Sequence, residues 1–316
     1  MLTRRAKEGG TARKGRPAPD AATADPGSWA FEEGDEIVPG RSVLKKLGGG
    51  HRHEAFLAWD DHLRATVVAK VVRPDRVAEA ETLQALADEA AALAALNHPV
   101  ILRGFGAELG GTRPHLLLEH LEGPRLSSLV RRYGPLGREQ LAPLAIQLAA
   151  ATHYMHAEGW LHLDIKPANV IMGAPPRLID LSVARPAETA SAIDLPIGTD
   201  SYMAPEQCLP LERGPVGPAA DIFGLGVTLH RAASGERPFE RGAEDAESPR
   251  ERWPQLAEPP LPLEADLPAG AIAIVEACMA PAPGDRPEPA EVATAFEAML
   301  DDLPRPRLAR LKPRWS

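Results

Sequence analysis

Aromatic residues are scarce in this chain, at 4% of 316 residues, so Leu, Ala and Val must supply most of any core. Cysteine is nearly absent: Cys208 and Cys278 are the only two, which excludes a disulfide framework and a four-cysteine zinc site. That usage fits a reducing, cytoplasmic setting. No apolar run approaches the roughly 18 residues that a membrane span needs. Arg4 and Arg5 are followed by no apolar segment, so no secretory signal is expected. Positive charge is also in deficit. The net charge is −9, which argues against a general nucleic-acid binder.

What remains is 44% hydrophobic and 25% charged, ordinary for a chain that buries a core. Residues 1–36 are rich in Ala, Gly, Pro and charge without apolar period, and read as a disordered arm. From Arg41 the pattern changes. "SVLKKLG", "EAFLAWD" and "RATVVAKVV" read as antiparallel strands separated by Gly and by "DDHLR". "VAEAETLQALADEAAALAALN" is a helix with Leu83, Leu93 and Leu96 on an apolar stripe. "PHLLLEHLEG" reads as a strand ending at Gly123. Helices dominate afterwards: "REQLAPLAIQLAAATHYMHAEG", the mostly apolar "DIFGLGVTLHRAASG", and the amphipathic "EPAEVATAFEAMLDDL". The expected class is α+β with two unequal lobes. One domain is expected over 37–302, its smaller lobe about 37–119 and its larger about 124–302, followed by a basic tail at 303–316.

"HLDIKPANV" carries the first chemistry. Phosphoryl transfer needs a positioned hydroxyl, metal ions across the phosphates, and cations for the developing charge. Asp164 can accept the hydroxyl proton. Lys166 can reach the transferred phosphate. Asn169 and Asp180, the latter in "LIDLS", can hold metal ions. As isolated residues, all four could equally be solvated loop positions.

Together with other segments, this motif resembles the catalytic loop of a eukaryotic-type (Hanks-type) serine/threonine protein kinase of the kind also found in bacteria. "LIDLSVAR" resembles that family's metal-binding turn, "GTDSYMAPEQ" the end of its activation segment, "DIFGLGVTL" its buried supporting helix, and "PGDRPEPAE" its late Arg-bearing turn. The resemblance runs in family order over about residues 40–300. It implies a bilobal kinase fold, with a small antiparallel-sheet lobe carrying one main helix and a larger helical lobe.

The resemblance also implies ATP, magnesium with manganese as the alternative ion, and protein substrates. "LGGGHRHEAFLAW" resembles the glycine-rich phosphate loop, with Gly48 and Gly50 on its first two glycines. Lys70 matches the phosphate-pairing lysine. Glu89, ten residues before Pro99, matches its helix glutamate, although it could instead be an exposed acid beside Glu81 and Asp88. Thr199 is expected beside Asp164 and Lys166. The adenine pocket is expected from Leu47, Ala55, Val68, Leu118, Glu119, Leu121 and Ile171. Glu206 should pair with Arg286, and Asp221 should receive backbone donors around His162. His115, His120 and His156 are read as surface or packing residues.

Four departures from the family stand out. His53 replaces the third glycine of the phosphate loop. Its tip, His51-Arg52, is either a solvated turn or part of a γ-phosphate contact made by Arg52 or His53. Ala55 and Val68 exchange the family's usual Val and Ala, a volume-conserving swap. Leu181 and Ser182 follow Asp180 in place of Phe and Gly. Leu163 stands where regulated relatives carry an arginine that answers an activating phosphate. Activity independent of loop phosphate is therefore expected, although Thr189, Ser191, Thr199 and Ser201 remain in the segment. A pseudokinase-like ATP-binding scaffold and a small-molecule phosphotransferase are the competing functions. The basic ends, with Arg4, Arg5, Lys7, Arg13, Lys14 and Arg16, and Arg305, Arg307, Arg310, Lys312 and Arg314, could touch an acidic partner or anionic surface.

Overall fold

Strand alternation builds the smaller lobe. In a computed structural model describing residues 27–301, strands β1 (Glu36–Val38), β2 (Arg41–Gly49), β3 (His53–Asp60), β4 (Ala65–Val72), β5 (Gly104–Glu108) and β6 (His115–Glu119) form one antiparallel sheet. Its order is β1-β2-β3-β4-β6-β5. Along β3, Glu54, Phe56, Ala58 and Asp60 are buried, whereas His53, Ala55 and Leu57 face the other way. Register carries this period across the sheet. Ala55 pairs with Lys70, Val68 with Leu118, and Lys70 with Leu116. One face is the core of Ile37, Phe56, Val67, Ala69 and Val71; the other looks into a cleft.

The reading of residues 1–36 as a disordered arm needs correction from Gly27 onward. Trp29 and Phe31 pack on the outer face, where Phe31 meets Phe56 edge-on at 5.4 Å between ring centroids. Arg113 lies over both rings. Glu54 accepts hydrogen bonds from Ser28 Oγ at 2.7 Å and the Trp29 N–H at 2.9 Å. Two aromatics and a buried carboxylate explain why so polar a stretch is held. Strand β6 also stops at Glu119, short of Gly123, where its pairing with β4 ends at Val67. The edge strand β5 escaped the sequence pattern because its "GFGAE" has little apolar alternation.

Helix α1 (Ala80–Ala95) turns Thr82, Leu86, Glu89, Ala92 and Leu93 inward. This i, i+3, i+4 stripe places an acid amid apolar residues. Leu83, expected on the stripe, is only half-buried.

The larger lobe begins with α2 (Leu126–Tyr133) and α3 (Arg138–Ala157). Helix α4 (Pro218–Ser234) is buried almost all round, as its apolar sequence requires. Helices α5 (Ala269–Cys278) and α6 (Pro289–Asp301) close the domain. The short antiparallel strands β7 (Val170–Ile171) and β8 (Arg177–Leu178) make a tight connection between Asn169 and Asp180. The terminal basic clusters lie outside the described residues. No described helix is long and apolar enough to cross a membrane.

Candidate active site

Between the lobes lies a cleft of about 840 Å³. Its lining contains every residue expected for the nucleotide: Leu47, Gly48, Gly50, Ala55, Val68, Lys70, Glu89, Leu118, Glu119, Leu121 and Ile171. Gly48 has φ +152°, and a Cβ at Gly48 or Gly50 would meet nothing within 4 Å. Both backbones are thus open to an approaching phosphate. Glu119 is a partial exception to the expectation. Its Oε1 already accepts from Arg177 and the Arg103 N–H, so that oxygen is committed within the protein.

Lys70 Nζ lies 2.7 Å from Glu89 Oε2 and 3.5 Å from Asp180 Oδ1. Burial alone would lower the Lys70 pKa; the two carboxylates outweigh it and raise the value, so the ammonium stays charged. At Asp180, burial pushes upward, but Lys70, a Ser182 hydrogen bond, His162 and Lys166 bring the carboxyl down to about 2. The exposed-acid reading of Glu89 is excluded, since the residue is 1% exposed.

The catalytic loop assembles beside this cleft. Lys166 Nζ lies 2.6 Å from both Asp164 Oδ2 and Thr199 Oγ1. Asn169 Nδ2 donates to the Asp164 carbonyl and to Asp164 Oδ2, each at 3.0 Å. Both amide hydrogens are therefore used, and Asn169 Oδ1 is left for a cation. The Ile179 N–H donates to the Asn169 carbonyl at 2.8 Å, which brings Asp180 next to Asn169. These two oxygen donors suit a hard cation that takes its other ligands from phosphate and water. Among the described residues there is no cluster of three or more His, Cys, Asp or Glu able to hold a metal by itself. Asp164 Oδ1 is buried without a partner. That unpartnered oxygen is able to accept a further hydrogen bond.

Asp221 reaches up from α4 and accepts from the His162 N–H at 2.9 Å and the Leu163 N–H at 2.7 Å. His156 Nε2 lies 3.0 Å from the same carboxylate, so His156 does more than pack. His120, also read as bland, lines the cleft, while His115 is buried between Arg41 and the Arg113 carbonyl. Leu163 sits at φ +62°, a left-handed conformation that costs a leucine roughly 1–2 kcal/mol. Its peptide is fixed on both sides: Asp221 takes the N–H, and Gln207 Nε2 donates to its carbonyl at 2.8 Å. Sequence reasoning missed Gln207, whose amide also reaches the Ile197 carbonyl at 2.9 Å. No local pattern marks such a bridge. Leu181 is fully buried in the core that includes Leu86 and Leu93, as an apolar replacement should be.

A two-lobed fold with a glycine-lined cleft, a lysine–glutamate pair and an Asp–Lys–Asn loop is the architecture of the protein-kinase class. Comparison with known proteins agrees. Residues 41–296 match the protein kinase domain family, and the chain belongs to it. It is 33% identical over 282 residues to a probable serine/threonine-protein kinase, PkwA, of Thermomonospora curvata, covering 86% of this chain and 37% of that protein. It is 31% identical over 280 residues to the serine/threonine-protein kinase pkn2 of Myxococcus xanthus, covering 83% and 33%. Against PknA of Mycobacterium tuberculosis, another serine/threonine-protein kinase, identity is 29% over 259 residues, covering 79% and 58%. The chain thus spans a third to somewhat over half of these relatives' lengths.

The exchange of Ala55 and Val68 has a testable consequence. They lie on the same cleft face, on adjacent strands and diagonally related by the register. Val68→Ala removes two methyl-sized groups from the nucleotide contact and should weaken ATP binding about tenfold. Adding Ala55→Val should restore most of it. Losses that simply add in a titration of the double variant would show that the two positions do not share one volume.

Proposed function

We propose that this chain is an ATP-dependent protein kinase that transfers the γ-phosphoryl group to serine or threonine hydroxyls of protein substrates. The observation that carries the reading is the Asp164–Lys166–Thr199 cluster, because it joins a base, a cation and a segment that resembles a substrate platform. Asp164 orients the acceptor hydroxyl and takes its proton. Lys166 neutralises charge on the phosphate in transit. Lys70, held by Glu89, grips the phosphates already in the cleft. A divalent cation, magnesium or manganese, would bind Asn169 and Asp180 and offset phosphate charge. Thr199, hydrogen-bonded to Lys166, favours a hydroxyl acceptor on an aliphatic side chain. The proposed catalytic domain extends to about residue 302, with the small lobe beginning near Trp29.

The test is transfer of label from γ-labelled ATP, with magnesium or manganese, to a generic basic protein. Transfer to serine or threonine is the expected result. Binding of ATP without transfer would favour the scaffold reading, and transfer to small molecules alone would favour the third.

The same activity is proposed to be independent of loop phosphate. Leu163 is buried and carries no cation. The activation segment is tied by other means: Gln207 to Leu163 and Ile197, Arg252 to Asp200 at 3.1 Å, and Gln255 Nε2 to the Asp200 carbonyl at 2.7 Å. Phosphatase-treated enzyme should therefore keep its initial rate within about twofold. Inactive dephosphorylated enzyme that recovers on loop phosphorylation would refute this independence.

A further inference from the structure

His53 occupies a position where the chemistry of a glycine is absent and something else is present. The strand period puts its ring on the cleft face with Ala55, and the register sets it beside Lys70, which pairs with Ala55. The ring lines the cleft, and its Nε2 is buried without a hydrogen-bond partner. Buried polar atoms are rarely left so, and such an atom inside a cleft points to a ligand. Its neighbours define that ligand's charge. Lys70 and Arg52 face the ring with Asp180, and burial followed by those two cations pulls the imidazole down to about 4, with Asp180 opposing. The ring is neutral near pH 7 and still has an N–H to give.

Arg52 and His51 also line the cleft, but their settings differ from that of His53. The Gly50 N–H donates to the His53 carbonyl at 2.8 Å, and the Arg73 N–H donates to the Arg52 carbonyl at 3.0 Å. The tip is therefore a tethered turn, not a loose one. His51 lies against the Arg76 guanidinium at 3.2 Å. Arg52 is exposed. Of the three, only His53 buries a polar atom in the cleft.

We propose that His53 is a phosphate-binding residue: its Nε2–H hydrogen-bonds a phosphate oxygen of the nucleotide in the cleft. This rests on the nucleotide reading of the cleft given above. Gly48 and Gly50 leave their backbones open to the phosphate chain, and His53 adds a side-chain donor from the strand that follows.

The test is equilibrium binding of ATP, ADP and adenosine to the full chain, wild type against His53→Gly and His53→Gln, with thermal melts to confirm folding. A hydrogen bond to a charged group predicts that Gly weakens ATP and ADP about tenfold or more and leaves adenosine unchanged. Gln, whose amide nitrogen reaches as far as Nε2, should restore most of the loss. ATP binding by the Gly variant as tight as wild type, an equal loss for adenosine, or no recovery with Gln would overturn the assignment while leaving the cleft a nucleotide site. Failure of the wild-type chain to bind ATP would overturn both.

Discussion

Arg286→Ala should lower stability by about 3–5 kcal/mol, the cost of breaking a buried ion pair from one side. Arg286 Nη1 and Nη2 reach Glu206 Oε1 and Oε2 at 2.5 and 2.9 Å, a bidentate contact. The remaining donors go to the carbonyls of Ala280, Ala219 and Pro281, so all five N–H groups are satisfied. The guanidinium also lies 5.1 Å from the Phe223 ring centroid. Truncation would strand a carboxylate that is 1% exposed and three carbonyls. With total stability of about 5–15 kcal/mol, the loss is a large share. A drop of roughly 10 °C in the melting temperature is expected. Adding Glu206→Gln should recover part of it, because the buried charge is then gone. A melting temperature unchanged in Arg286→Ala would show that the pair contributes nothing net.

Asp164→Asn should lower the rate of phosphoryl transfer by about 10²–10⁴, the range for loss of general-base action. The substitution keeps the shape and can keep the hydrogen bond from Lys166. It removes the basic oxygen and the charge that holds Lys166. Asp164 is absent from the lining of the nucleotide cleft, so ATP affinity should change by less than about threefold. Single-turnover rates with labelled ATP, beside direct ATP binding, separate the two effects. A transfer rate within tenfold of wild type would mean that Asp164 is not the base. Loss of ATP binding would mean that the loop and cleft are one unit.

How much of this was legible beforehand depended on the range of each interaction. Asp164, Lys166 and Asn169 lie within six residues, and their types already state a chemistry. The runs that form β2, β3 and β4 were already strand-like in residue type. By contrast, β5 and the strap at Trp29 were missed, because Gly-rich or polar segments become ordered only through partners far along the chain. Glu119 was placed correctly in the cleft, yet its carboxylate turns to Arg177, 58 residues away, and no spacing rule reports that. Leu163 could be read as the loss of an arginine. That Gln207 and Asp221 hold its left-handed peptide could not.

The sequence by itself determined the class of fold and which chemistry-bearing side chains lie close together in the chain, because side-chain type and local pattern are properties of neighbouring residues. Tertiary structure alone decided that Gln207 bridges the Leu163 and Ile197 carbonyls, that the Glu119 carboxylate turns to Arg177, and that the His53 nitrogen ends buried and unpartnered in the cleft. Those outcomes depend on how whole faces pack against one another, and burial makes each polar group's partner, or lack of one, matter energetically.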